Sequence, residues 1–119
     1  EAHFVHADKE GNLAVVAVMF EQGKHNAELE NAWSQMPANA GDRQVLKRQV
    51  DANRLLPRWH DYFRFNGSLT TPPCSEGVTW IVMKNSETAS REHIERIRPV
   101  MRHPKNRQVQ PVNARLIIK

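Results

Sequence analysis

Two short apolar runs limit most strongly what this chain can fold into. Residues 13 to 20, LAVVAVMF, are almost continuously apolar, and VTWIVM at 78 to 83 has the same character. Apolar runs of this length predict strands that are buried in the interior of a sheet. With 119 residues and 39% hydrophobic content, the chain is long enough for one domain with a core and too short for two.

Weaker patterns predict the elements around these strands. Two helices are expected from apolar residues at helical spacing, the first capped by Asn26 and the second by Ser90. The dipeptides GN at 11 and 12 and NG at 66 and 67 are typical of turns. The final residues, VNARLIIK, predict a last short strand. The predicted fold class is therefore mixed α+β, mainly β, with short surface helices.

The distribution of charged and apolar residues argues against nucleic-acid binding and against a membrane span. The formal net charge is +4, but the basic residues are spread out, and their densest cluster, RIRPVMRHPKNR at 96 to 107, contains no aromatic residue. We therefore predict no nucleic-acid binding. No apolar run approaches the length of about 20 residues needed to cross a bilayer, so no membrane span is expected. No signal peptide is visible, and because the chain starts in mid-pattern, any leader is expected to have been removed.

The first six residues, EAHFVH, contain a candidate metal ligand. Their alternation predicts a strand with Glu1, His3 and Val5 on one side, and His6 on the other. A metal could take one ring nitrogen of His3 while Glu1 accepts the proton on the other nitrogen. Catalytic zinc needs three protein ligands. The remaining histidines offer no paired spacing that predicts the other two: His25, His60, His93 and His103. A hydrogen-bonded core histidine therefore stays open as the alternative.

The polar and proline-rich loop SLTTPPC, residues 68 to 74, is more informative than the histidine pattern. Two threonines precede two prolines, which stiffen the backbone and could aim a hydroxyl and an N–H group at a bound anion. A proline-stiffened turn without chemistry is the alternative. Cys74 is the single cysteine, so it cannot form an internal disulfide. It is either a buried small residue, a free thiol or paired outside this chain.

Four segments together resemble the alpha-class carbonic anhydrases, particularly the bacterial secreted branch. These segments are EAHFVHAD, GNLAVVAVMFEQG, NGSLTTPPCSEGVTWIVMK and HPKNRQVQPVNAR, and they run in order over essentially the whole chain. The resemblance implies part of the large central, mostly antiparallel twisted sheet of that family. Residues 1–119 would be the C-terminal half of a single domain whose N-terminal half is absent.

The resemblance also implies roles for individual residues. His3 would be the third zinc ligand with Glu1 behind it, and Thr70 would be the gatekeeper that orients the attacking hydroxide. Thr71 would line the same site, with a cis bond between Thr71 and Pro72. Asn106 would orient another zinc histidine through its carbonyl, and Cys74 would form a disulfide to the missing half. The carbon dioxide pocket would consist of Val5, Val15, Leu69, Val78 and Trp80.

The implied function is the zinc-dependent, reversible hydration of carbon dioxide to bicarbonate and a proton, in a periplasmic or secreted protein. Two zinc histidines, the glutamate that pairs with Thr70 and the proton shuttle would lie in the missing half. We therefore expect the isolated chain to be inactive and to bind zinc weakly. A non-catalytic binding or interaction module of the same fold is the alternative. The sequence does not fix the oligomeric state, and a homodimer is compatible with it.

Overall fold

The computed structural model describes residues 1–37, 39, 41–101 and 107–119. The strands in these ranges are β1 Ala2–Ala7, β2 Leu13–Val18, β3 Phe20–Gln22, β4 Tyr62–Ser68, β5 Glu76–Met83 and β6 Glu87–Ala89. Two short α-helices, α1 Ala27–Trp33 and α2 Arg91–Ile97, and a 3₁₀ helix, Ala52–Leu55, complete the described elements. Within the same ranges, no helix has the length and apolar character required to cross a membrane.

The main sheet has the strand order β1-β2-β5-β4. The β1/β2 and β5/β4 pairs are antiparallel, and the β2/β5 pair between them is parallel. The sheet is therefore mixed, and the predicted α+β class with mainly strands is confirmed. Both apolar runs form inner strands, as expected, but the first run is interrupted after Val18. It resumes as β3, which pairs with β6 in a separate two-stranded sheet.

The two faces of the main sheet pack differently. Val15, Ala17, Val78 and Trp80 form a buried cluster on the face that also carries His3. On the other face, Phe4 packs against a second cluster, which contains Leu29, Leu55, Trp33 and Ile94 of the helical segments and Ala89 of β6. Both helices therefore cover the face opposite His3, and the His3 face of β1 is left accessible.

The local signals at the helix ends are confirmed. The side chain of Asn26 accepts hydrogen bonds from the backbone N–H groups of Glu28 and Leu29, and Ser90 accepts one from His93. The GN turn is also present, because Gly11 has φ +85° and donates its N–H to the carbonyl of Asp8.

The predicted NG turn at residues 66 and 67 is wrong. Asn66 and Gly67 lie inside β4, where they pair with Thr79 and Val78 of β5. A Cβ atom on Gly67 would lie 3.1 Å from Cδ1 of Trp80, so the glycine provides space for the indole ring rather than a turn. The expected C-terminal strand is reduced to a single bridge between Arg64 and Ile118.

Glu28 ties α1 to the segment before the 3₁₀ helix, and this contact predicts a pH dependence. Its carboxylate accepts a 2.8 Å hydrogen bond from the N–H of Asp51 and a 3.3 Å bond from Nδ2 of Asn31. The Asp51 bond is the main reason why the pKa of Glu28 is lowered. A lowered pKa in the folded state means that the carboxylate stabilises the fold above about pH 4.5, its ordinary value. The stabilisation disappears as the pH falls through the lowered pKa.

We therefore expect Glu28→Gln to destabilise the chain at neutral pH and to have less effect in acid. Urea unfolding of the two proteins between about pH 7 and about pH 3 measures the difference. Glu10→Gln is the control, because Glu10 is exposed in a turn. A Glu28→Gln effect that stayed constant over this range would show that the carboxylate charge contributes nothing.

Candidate active-site cleft

An open cleft of about 420 Å³ lies on the His3 face of the sheet. Side chains of β1, β2, β4 and β5 line it together with the loop after β4 and the segment from residue 107 onward. The lining residues include Glu1, His3, Thr70, Trp80 and Arg107. Three of the residues that the sequence analysis singled out, His3, Thr70 and Trp80, therefore line one cleft.

The pairing of His3 with Glu1 is present at the start of β1. Nε2 of His3 lies 3.0 Å from Oε1 of Glu1. The ring of His3 also contacts the indole of Trp80 edge-on, with centroids 5.0 Å apart and an interplanar angle of 77°. These two contacts fix the ring and leave Nδ1 as the nitrogen available to a metal. His6 is exposed, and its Nδ1 lies 3.0 Å from the carbonyl oxygen of Phe4.

An apolar wall adjoins His3 because the strand register brings its residues together. Val5 pairs with Val15, and Val15 pairs with Trp80, so the three lie in one row on the same face. Val15 and Val78 are buried in the cluster with Trp80, and Leu69 packs against it. Of the five residues expected to form the pocket, only Trp80 is among the described residues that line the cleft. Val5 lies at the edge of the sheet and is 59% exposed.

The loop after β4 presents Thr70 to the cleft. Thr70 and Thr71 are both exposed, and of the two only Thr70 is among the lining residues. The cis peptide bond joins Pro72 and Pro73, so the expected cis bond between Thr71 and Pro72 is wrong. The N–H of Cys74 donates to the carbonyl of Thr71 over 2.9 Å. In a turn closed by this bond, Pro73 takes the third position, which is where a cis proline belongs.

Several hydrogen bonds hold the end of β4 beside the cleft. The indole N–H of Trp80 donates to the carbonyl of Ser68 over 3.0 Å. Arg107 donates from Nη1 to the hydroxyl of Ser68 and, at 3.4 Å, to the carbonyl of Leu69. These contacts fix the two residues that precede Thr70. Asn106, whose carbonyl was expected to orient a zinc ligand, lies outside the described residues.

Comparison with known proteins identifies the fold and its family. The family model for eukaryotic-type carbonic anhydrases matches residues 2–119. The chain belongs to this family. It is similar to a carbonic anhydrase from Klebsiella pneumoniae, with 50% identity over 119 residues, which cover 100% of this chain and 48% of the relative. A carbonic anhydrase from Pectobacterium carotovorum is 46% identical over 118 residues, covering 99% of this chain and 48% of the relative.

A solved structure of the family supports the same placement. The alpha-carbonic anhydrase from Thermovibrio ammonificans, in complex with the inhibitor sulfanilamide, superimposes with a TM-score of 0.94 at 52% identity. The match covers 98% of this chain and 52% of that one. The chain thus spans about half the length of the carbonic anhydrases that it matches.

The donor atoms at the cleft fit one part of a zinc site. Among the described residues that line the cleft, His3 is the sole histidine, and its partner Glu1 already accepts from the ring. A catalytic zinc ion needs three protein ligands. The carbonic anhydrase cleft of this chain therefore offers one suitable ligand with its supporting carboxylate, and it does not offer a complete site. Cys74 is half-buried, with no disulfide partner in the chain.

A second group of potential ligands was missed by the sequence analysis. His25, Glu30 and His93 each offer one ligand atom, and these atoms lie within 4.8 Å of one another. The sequence spacing of His25 and His93 does not predict a shared site. Only the packing of α1 against α2 brings them together, so no local spacing could have indicated the group.

Proposed function

We propose that this chain functions as the C-terminal half of a complete carbonic anhydrase domain, which reversibly hydrates carbon dioxide to bicarbonate and a proton with Zn²⁺. The observation that carries the proposal is the Glu1–His3 pair, held beside an apolar wall and Thr70 in one cleft. Carbon dioxide has no charge, so an apolar wall beside the metal ligand His3 and the hydroxyl of Thr70 suits it as a substrate. The family membership and the half-length match support the same conclusion.

In this proposal each residue has a defined task. His3 supplies one of three zinc ligands through Nδ1, and Glu1 holds Nε2 so that the ring cannot turn away. When bound, zinc supplies a hydroxide nucleophile near neutral pH, because it lowers the pKa of its water to about 7. The wall next to Trp80 holds carbon dioxide, and the hydroxyl and N–H of Thr70 orient the oxygens of substrate and product. The other two zinc ligands come from a segment outside this chain.

The experiment that tests the proposal is a chimera. The N-terminal half of the Klebsiella pneumoniae relative is joined to residues 1–119, because this relative matches the full length of the chain at 50% identity. We expect the chimera to bind a zinc ion in the cleft and to hydrate carbon dioxide, measured by stopped-flow with a pH indicator. The 119-residue chain alone and the N-terminal half alone are the controls, and both are expected to be inactive.

Two outcomes would contradict the proposal. Hydration by the isolated chain would show that the site needs no second half. A chimera that folds and holds zinc but does not hydrate carbon dioxide would favour the non-catalytic binding module.

We also propose that the protein works in the periplasm or outside the cell. Cys74 is the single cysteine, and its place in the turn beside the cleft suits a disulfide to a cysteine outside this chain. Such bonds persist in oxidising compartments. The resemblance of the sequence to the secreted branch of the bacterial family members is the second ground for this proposal.

A further inference from the structure

The second ligand group lies apart from the cleft. Glu30 belongs to α1, His93 belongs to α2, and His25 directly precedes the N-cap of α1. Leu29 of α1 and Ile94 of α2 pack in the apolar cluster that covers Phe4. Because Phe4 and His3 are adjacent residues of one strand, their side chains point to opposite faces of the sheet. The group therefore lies on the face that the carbonic anhydrase cleft does not use.

His93 has a nitrogen that the described protein atoms do not satisfy. Its side chain is fully buried, and Nε2 lies 3.2 Å from Oε2 of Glu30. Nδ1 is also buried and has no hydrogen-bond partner among the described residues. Buried polar atoms are normally hydrogen-bonded, so a buried imidazole with one unmatched nitrogen needs an explanation. Nε2 is the nitrogen that faces Glu30, so an ion bound between the two side chains replaces only this one hydrogen bond of the ring.

The distances suit a small transition-metal ion. Zinc binds histidine nitrogen and carboxylate oxygen at about 2.0–2.2 Å, which places neighbouring ligands of a tetrahedral ion roughly 3.4 Å apart. The observed separation of 3.2 Å between His93 and Glu30 is close to this value. The ring centroid of His25 lies 4.7 Å from that of His93. His25 is exposed, so its side chain can rotate towards the ion and leaves a path for entry.

The surrounding charges allow the site to form. Arg96 donates to Oε1 and Oε2 of Glu30 at 2.9 and 3.0 Å, and this contact is the main reason why the pKa of Glu30 is lowered. The carboxylate is therefore ionised at neutral pH, as a metal ligand must be. Arg96 competes for Oε2 but can remain on Oε1 when an ion takes the other oxygen. The alternative is a purely structural cluster of Glu30, His93 and Arg96.

We propose that His25, Glu30 and His93 form a binding site for Zn²⁺ that is separate from the His3 site and links α1 to α2. Two histidine nitrogens and one carboxylate oxygen are a donor set that zinc uses, with a fourth position open to water. The proposal does not depend on the proposed carbonic anhydrase activity, because none of the three residues lines the cleft.

A zinc titration of the purified 119-residue chain tests the site. ZnCl₂ is added in competition with a chromophoric chelator at about pH 7.5, and bound zinc is counted per chain. We expect one ion per chain and at least about a 10-fold weaker affinity in His25→Ala, since loss of even a supporting partner costs a metal site that much. His25 is exposed, so its replacement is expected to leave the fold intact. The matched controls His3→Ala and His6→Ala should change the affinity less than about 2-fold.

A thermal shift provides a second readout. Zinc should raise the unfolding temperature of the unchanged chain more than that of His25→Ala at the same zinc concentration, because a ligand stabilises the state that binds it according to its affinity. No zinc binding by the unchanged chain would overturn the proposal. Equal binding by His25→Ala, or loss of binding in His3→Ala, would overturn it as well, and the second result would assign the ion to the cleft instead.

Discussion

Replacing His3 with alanine in the chimera is expected to lower carbon dioxide hydration by at least about 100-fold. Outer-shell partners of a metal ligand typically contribute 10–100-fold to affinity or activity, and His3 is proposed to be a ligand itself. Among the described residues that line the cleft, His3 is the sole histidine, so no second imidazole there can replace it. Stopped-flow hydration and zinc content are measured on the same preparation.

Two further variants separate the metal contact from general damage. Glu1→Gln keeps the size of the side chain but removes its charge, so we expect zinc affinity to fall about 10–100-fold while the fold persists. His6→Ala is the matched histidine control, because His6 is exposed and its ring contacts only the carbonyl of Phe4 among the described polar groups. If His3→Ala and His6→Ala retained the same activity, the role proposed for His3 would be wrong.

Replacing Trp80 with alanine is expected to lower the free energy of unfolding of the chimera by about 3–5 kcal/mol. Trp80 is 6% exposed and pairs with Val15 on one side and Phe65 on the other, so it joins three strands of the sheet. Its N–H also holds the carbonyl of Ser68. The substitution therefore leaves a large cavity and loosens the loop that presents Thr70.

Two controls distinguish the parts of this effect. Trp80→Phe keeps an aromatic ring and removes the N–H donor, and we expect a smaller loss of about 1–3 kcal/mol. Trp59→Ala removes the same residue type from a position that is 64% exposed, and its effect should stay within about 0.5 kcal/mol. Urea unfolding followed by circular dichroism measures all three. Equal losses for Trp80→Ala and Trp59→Ala would contradict the packing described for Trp80.

Local sequence signals predicted the parts of the fold that depend on neighbouring residues. The apolar runs identified β2 and β5 because inner strands are buried on both faces, and Asn26 and Ser90 cap the helices as expected. The NG prediction failed for a non-local reason. Gly67 is needed to make room for Trp80, which is contributed by another strand, and nothing adjacent to Gly67 reveals that requirement.

The same distinction applies to the candidate sites. The Glu1–His3 pair could be predicted because residues two apart in a strand share a face. Thr70 could be assigned a role only by resemblance to a family, since its place in the cleft depends on Arg107 and Trp80 holding the end of β4. The contact between Glu30 and His93 spans 63 positions, so it follows from helix packing and not from spacing.

A crystal structure of the zinc-loaded chimera, with anomalous diffraction at the zinc edge, tests the central claim most directly. Because Glu1 already occupies Nε2 of His3, we predict that a zinc ion in the cleft is bound by Nδ1 of His3 and by two ligands from the joined N-terminal half. A cleft zinc ion bound through Nε2, with the contact to Glu1 broken, would contradict this account. Zinc held in the cleft without any bond to His3 would contradict it completely.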